Sequence, residues 1–271
     1  MRRILVLRSG GSDLPPEASG PDVALLTTHE VLPVPAGIAE TLAFHARGAR
    51  LVVSSKVTVE MLLGGTKEGT VHGRSASGEA GAKATSTGFF EREFIEVLAV
   101  GEESARELRR AGARDVVVPG SPGAAGVLHL LRESPGGLSG LRILWPRGSD
   151  ADAGPLEELS SLGALVTAPV VYEKRLRPAW SLSSSERELL SAFRGGGFGA
   201  VAVGSVAALE VFLSWLGDPA PEALPPVRWG VLGPETARAV SVRGIGAPAV
   251  PGRARFADLI DLLRKEPART P

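Results

Sequence analysis

Short apolar runs alternate with helix-period segments from one end of the chain to the other. The runs are Ile4 to Leu7, Leu51 to Val53, Phe94 to Val100, Val116 to Val118, Ile143 to Trp145, Ala164 to Val171, Ala200 to Val203 and Val227 to Leu232. Unbroken apolar runs of this length read as strands buried on both faces, and helical pattern follows most of them. The charged segment Arg106 to Arg110 stops at Gly112, a natural helix end. Between Phe256 and Leu263, residues Leu259, Ile260, Leu262 and Leu263 line one apolar face. The longest apolar stretch, Phe198 to Gly217, carries only Glu210 as a charge and approaches the length of a membrane span. Gly204 and Ser205 divide it into a strand and a buried helix with Leu209, Phe212, Leu213 and Leu216 on one side, which favours a soluble strand, turn and helix. Strands and helices in this alternation predict an α/β fold with parallel sheets and helices on both faces.

The pattern also repeats. Gly101 to Arg106, Gly112, Val118, Pro119, Leu130 and Leu131 align without a gap on Gly233 to Arg238, Gly244, Val250, Pro251, Leu262 and Leu263, 132 positions later. Val53, Ser55, Glu60 and Leu63 match Val203, Ser205, Glu210 and Leu213 at a spacing of 150, and Ile4 to Arg8 match Ile143 to Arg147 at 139. The chain is therefore a doubled α/β unit. Residues 64–88, between matched blocks of the first copy, are rich in Gly, Ser and Thr and cannot recover their ordering entropy through burial, so a mobile surface loop is expected there. The tail 266–271 is expected to fray.

With 271 residues, 44% apolar and 22% charged, the chain can bury a core and is long enough for two small domains. The absence of cysteine removes thiolate metal sites, disulfides and cysteine nucleophiles. Thirty Lys and Arg balance 30 Asp and Glu, so no global field draws the chain to nucleic acid or to a lipid surface. The N-terminal apolar run ends on Arg8 after four residues and reads as a strand rather than a targeting segment; a soluble cytoplasmic protein is expected. Gly197, Gly199 and Ala202 fit the letters of a dinucleotide fingerprint, but they run into a strand instead of out of one. There is no phosphate-loop sequence and no Gly-x-Ser-x-Gly nucleophile elbow. His29, His45, His72 and His129 lack metal-ligand spacing and are expected at the surface or at an edge. No metal and no cofactor are expected.

What remains is a set of strand-end turns built from small residues: Arg8 to Gly11, Ser54 and Ser55, Gly101, Arg147 to Ser149, Gly204 and Ser205, and Gly233 to Thr236. Open parallel sheets bind ligands outside the carboxyl ends of their strands, where helix N-termini offer unpaired N–H groups and a positive dipole end. Two such rims would suit an anionic ligand. The plainer alternative is that Ser55, Ser104, Ser205 and Thr236 are ordinary helix caps and the glycines ordinary turn formers.

Four blocks in this order resemble the uroporphyrinogen-III synthase family over nearly the full length: Ile4 to Arg8; Leu144 to Gly148 with Gly163 and Pro169 to Glu173; Val203 to Leu209; and Val231 to Ala237 with Gly244, Val250, Pro251 and Leu259. The resemblance implies two similar parallel-sheet, flavodoxin-like domains joined by a two-stranded hinge, the first discontinuous. Residues 1–34 with 173–265 would form one and 35–172 the other, with crossing strands at Val31 to Pro35 and Val170 to Arg175. The repeats alone would place a tandem cut near Gly137. The family's reaction implies a cofactor-free hydro-lyase of tetrapyrrole and haem biosynthesis, acting as a monomer with no nucleic-acid or membrane partner. In an interdomain cleft it would cyclise hydroxymethylbilane, a linear tetrapyrrole bearing acetates and propionates, with loss of water and inversion of ring D. Tyr172, the one tyrosine, matches a family position and would act as a weak general acid; its other reading is a buried boundary aromatic. Thr236 and Ser205 match cleft positions, Ser55, Gly101 and Gly233 would add donors, and Arg8 and Arg147 would pair with carboxylates or brace strand ends. Two departures from the family pattern are Ser9, where proline is frequent, and Ser104, where threonine is usual. The alternative function is a non-catalytic relative that binds or senses a tetrapyrrole or another anionic ligand.

Overall fold

The computed structural model describes residues 3–10, 14, 16–64, 88–121, 123–134 and 136–265. Gly11, His72, residues 65–87 of the expected loop and the 266–271 tail lie outside them. In chain order the elements are β1 (Arg3–Arg8), β2 (Val23–Thr27), β3 (His29–Pro33), α1 (Pro35–Ala43), β4 (Ala49–Val53), α2 (Lys56–Leu62), β5 (Glu96–Ala99), α3 (Glu102–Arg110), β6 (Val116–Val117), α4 (Ala124–Arg132), β7 (Arg142–Leu144), β8 (Arg147–Gly148), α5 (Gly154–Ser161), β9 (Leu165–Thr167), β10 (Val170–Leu176), α6 (Ser184–Arg194), β11 (Phe198–Val203), α7 (Val206–Trp215), β12 (Arg228–Val231), α8 (Pro234–Val242) and α9 (Phe256–Lys265). The chain divides into two compact units, one from the residues up to Val31 together with those from Arg175 onward, the other Leu32–Lys174.

The first unit is built on a parallel sheet in the order β12-β11-β1-β2, extended by a parallel bridge from Gly230 to Ala249. Alternate residues of its apolar strands feed two cores. Leu5, Leu7, Val201 and Val203 face Phe193, Phe212 and Trp229, whose rings pack edge to face, while Ile4, Val6, Ala200 and Ala202 face Leu259, Ile260 and Leu263 of α9. Burial on both faces is what an unbroken apolar run demands. Numbered in its own chain order the sheet reads 2-1-3-4-5, the flavodoxin-like arrangement, with Ala249 as the fifth member.

The second unit carries a parallel sheet in the order β6-β5-β4-β7-β9. One face packs Val52, Leu98 and Ile143 against Val127, Leu131 and Leu159 of α4 and α5. The sequence repeats match the two sheets strand by strand: β5 to β12, β4 to β11, β7 to β1. The spacing of 132 carries α3, Glu102–Arg110, onto α8, Pro234–Val242, end to end. It also carries the Leu98 to Val117 pairing onto the Gly230 to Ala249 bridge. The spatial order is thus the same in both units, but the second unit enters at β4 instead of at the equivalent of β1. It is a circularly permuted copy.

A third sheet, β3-β10-β8, contains both strands through which the chain passes from one unit to the other. Here the sequence expectations need correction. The apolar run Ala164 to Val171 is two strands in two sheets, because Pro169 has no N–H for a ladder and constrains Ala168 before it. The first crossing strand is His29–Pro33 rather than Val31 to Pro35, because Pro35 occupies the first turn of α1, where a proline sacrifices no hydrogen bond. β2 is absent from the expected runs; it is followed directly by β3, so no helix pattern marks its end. His29 lies on an edge strand of its sheet but is only 8% exposed. The stretch Phe198 to Gly217 resolves into β11 and α7, and among the described residues no helix is long and apolar enough to cross a membrane.

Candidate functional site

In the first unit the strand order reverses between β1 and β11, since β1 runs on toward β2 on one side and β11 toward β12 on the other. Such a reversal is the topological switch point, the place where sheets of this kind take ligands. Arg8, Ser9, Gly10, Gly204 and Ser205 stand there. Ser205 caps α7, its Oγ accepting the Ala208 N–H at 3.2 Å, and the same oxygen lies 2.6 Å from Ser9 Oγ. The Arg8 carbonyl accepts from Thr28 N at 2.8 Å and from Thr28 Oγ1 at 3.0 Å, while Thr28 Oγ1 also meets His29 Nδ1 at 2.9 Å. With the Thr28 proton given to Arg8, the His29 contact requires the proton on Nδ1. One strand further along the rim, Gly233 caps α8, and Thr236 lies buried in the helix's first turn.

The second unit repeats the arrangement around β4 and β7. Ser55 caps α2, accepting the Val57 N–H at 3.0 Å, and Gly101 caps α3, with Ser104 buried where Thr236 stands in the other copy. The helix starts differ in charge. Glu102 and Glu103 occupy the first turn of α3 and Glu235 that of α8, whereas those of α2 and α7 hold no acid. A carboxylate brought to Gly101 or Gly233 would meet these acids as well as the dipole; at Ser55 and Ser205 no first-turn acid opposes it, and Lys56 opens α2.

Arg147 and Tyr172 form a separate group in the same unit. β8 and β10 pair through Arg147 with Val170 and Gly148 with Tyr172, closed by the Arg147 N–H to Pro169 carbonyl bond at 3.0 Å and the Ser149 N–H to Tyr172 carbonyl bond at 2.9 Å. A Cβ on Gly148 would lie 2.6 Å from Cε2 and Cζ of the Tyr172 ring, so the ring sits directly on this glycine's backbone. Lys174 Nζ stands 5.8 Å from the ring centroid and is held by Asp150 at 2.8 Å. Tyr172 is 4% exposed. Arg147 gives one guanidinium N–H to the Ala151 carbonyl at 2.8 Å, bracing its own strand end, and its Nε is buried with no hydrogen-bond partner among the described residues.

The structure thus gathers Arg8, Ser205, Gly233 and Thr236 at one strand-end rim, Ser55 and Gly101 at the other, and Arg147 with Tyr172 on a short strand pair of the second unit. Among the described residues no group of three or more His, Asp or Glu could hold a metal ion. Sequence reasoning missed the Ser9 to Ser205 contact, the buried Thr28 and His29 pair, and Lys174 over the tyrosine. Only the register that sets Ser9 opposite Ser205 could have shown the first, and it follows from the pairing of β1 with β11.

The fold is similar to that of uroporphyrinogen-III synthetase from Helicobacter pylori, at 17% identity over 97% of this chain and 98% of that one, with a TM-score of 0.60. It is also similar to a mutant uroporphyrinogen III synthase from the thermophilic bacterium Thermus thermophilus, at 17% identity over 98% of both chains and a TM-score of 0.52. No curated protein matches the chain. The family model for uroporphyrinogen-III synthase HemD matches residues 27–261, which takes in both strand-end rims and the Tyr172 strand except for β1 and its turn. The chain belongs to the uroporphyrinogen-III synthase family.

Proposed function

We propose that the protein is a uroporphyrinogen-III synthase, a hydro-lyase that cyclises hydroxymethylbilane with loss of water and inversion of ring D. The family match over residues 27–261 carries this reading. The two rims of hydroxyls and helix-start amides support it, because they offer the substrate's acetates and propionates uncharged donors in a chain without net charge. In the proposed chemistry the ring A hydroxyl leaves to give an azafulvene, the substituted carbon of ring D attacks to give a spiro intermediate, and fragmentation and reclosure deliver the inverted ring. Unassisted closure gives the uninverted isomer, so the protein's task is chiefly conformational. Holding the reacting ends in place lowers such barriers by about 7–11 kcal/mol in favourable cases without a strong acid or base.

In this scheme Tyr172 hydrogen-bonds the departing hydroxyl as a weak general acid. Thr236 and Ser205 contact substrate through their hydroxyls, Ser55, Gly101 and Gly233 contribute helix-start donors, and Arg8 and Arg147 face carboxylates. β3 and β10 serve as the hinge, and closure shields the cationic intermediate from water. The test is the rate at which freshly prepared hydroxymethylbilane disappears. A synthase consumes it well above the rate of spontaneous closure; a family member that only binds or senses tetrapyrroles leaves that rate at background.

A further inference from the structure

The sheet register of the first unit brings two hydroxyls together at the switch point. β1 and β11 pair through Leu7 and Val203, and the Gly204 N–H bonds the Leu7 carbonyl at 2.9 Å, carrying the ladder one step further. One residue beyond, Ser9 and Ser205 face each other with their oxygens 2.6 Å apart. The turn that holds Ser9 is tightly fixed. Gly10 has φ +58, and a Cβ on it would lie 2.9 Å from Val31 Cγ2; its N–H returns to the Arg8 carbonyl at 3.2 Å.

Each serine hydroxyl has one proton and two lone pairs. Ser205 Oγ already accepts from the Ala208 N–H, which leaves it one lone pair and its own proton. The contact with Ser9 consumes one of the pair's two protons, so one O–H is directed out of the pair. A hydroxyl that accepts two hydrogen bonds is polarised as a donor. No acid in the first turn of α7 opposes a negatively charged acceptor there.

We propose that Ser9 is a positioning residue: it donates to the second lone pair of Ser205 and so turns the Ser205 proton outward, toward a carboxylate oxygen of the substrate. This rests on the reading that Ser205 contacts substrate in a synthase. Ser9 acts through Ser205, and its hydroxyl matters while its bulk does not. In steady-state kinetics with hydroxymethylbilane, S9A is expected to raise KM about three- to tenfold, the range of one lost hydrogen bond, with kcat within about twofold. The melting temperature stays that of wild type, because Ser205 still caps α7. S9T restores KM, and S9A combined with S205A is no worse than S205A alone. A wild-type KM in S9A, an S9T variant as impaired as S9A, or independent multiplicative losses in the double variant would each overturn the proposal. A wild-type chain that fails to consume the bilane would remove the synthase reading and this inference with it, an outcome distinct from any S9A result in an active enzyme.

Discussion

Tyr172 has two close neighbours: Gly148, which leaves no side chain between its backbone and the ring, and Lys174, fixed by Asp150, with its Nζ 5.8 Å from the ring centroid. Replacing Tyr172 with Phe keeps the ring on Gly148 and removes only the oxygen. Turnover of hydroxymethylbilane is expected to fall by about tenfold or more, with an unchanged circular-dichroism spectrum and melting temperature. An unaltered kcat would remove the phenol from the mechanism. Single residues are unequally legible in the sequence. Of the four hydroxyl residues whose alternative reading is a helix cap, Ser55 and Ser205 cap, whereas Ser104 and Thr236 lie within the first turn of helices capped by Gly101 and Gly233. The tyrosine's seat is illegible there, because Gly148 and Tyr172 meet through strand pairing across 24 positions of chain. The same holds for Ser9, whose partner lies 196 positions away. His29 stands on an edge strand, as expected of a surface or edge residue, and its side chain is buried there nonetheless.

Arg177 ties several elements of the first unit together. Its guanidinium bonds the Thr27 carbonyl at the end of β2, forms a two-pronged pair with Glu186 at 2.6 and 2.9 Å, and reaches the Ser181 carbonyl at 3.4 Å. Glu186 is also the reciprocal member of the capping box that starts α6 from Ser183. Burial pushes the Glu186 carboxyl up, but the bonds from Arg177 and Ser183 outweigh it and hold the group below its ordinary value. A carboxyl lowered by folding stabilises the fold above its unfolded pKa, and that contribution is lost as the pH falls through the folded value. Glu186→Gln is therefore expected to cost about 1 kcal/mol near neutral pH, a drop of ~2–4 °C in melting temperature. The gap from wild type should narrow below about pH 4. A difference independent of pH would show that the carboxylate charge contributes nothing. At this scale the apolar runs locate most strands within a few residues; β2 falls outside them, and Pro169 splits one run between two sheets, because a proline's missing donor is invisible to hydrophobic periodicity.

The whole molecule is one α/β unit used twice, in two chain orders. The spacing of 132 is legible because it spans a strand, a helix and the following strand without insertion; the permutation is not, since three offsets of 132, 150 and 139 show doubling without saying which strands share a sheet. The structure places all five strands of the second sheet within Leu32–Lys174 and the first sheet on both sides of it. A fragment spanning residues 32–174 is accordingly expected to fold alone with a cooperative thermal transition, whereas residues 1–137 and 138–271 expressed separately would each lack strands of their sheets. Two independently folded halves from the cut near Gly137 would contradict the interleaved arrangement. The balance of 30 cations against 30 anions belongs to this scale too. It provides no global field for a polycarboxylate, so in the proposed function the substrate is held locally by hydroxyls, helix-start amides and a few arginines. The proposed imposition of one closure on a flexible bilane is tested most directly by incubating the protein with freshly made hydroxymethylbilane and separating the isomers of the oxidised product. Predominantly type III uroporphyrin is the result expected, and type I alone, at the spontaneous rate, would contradict it.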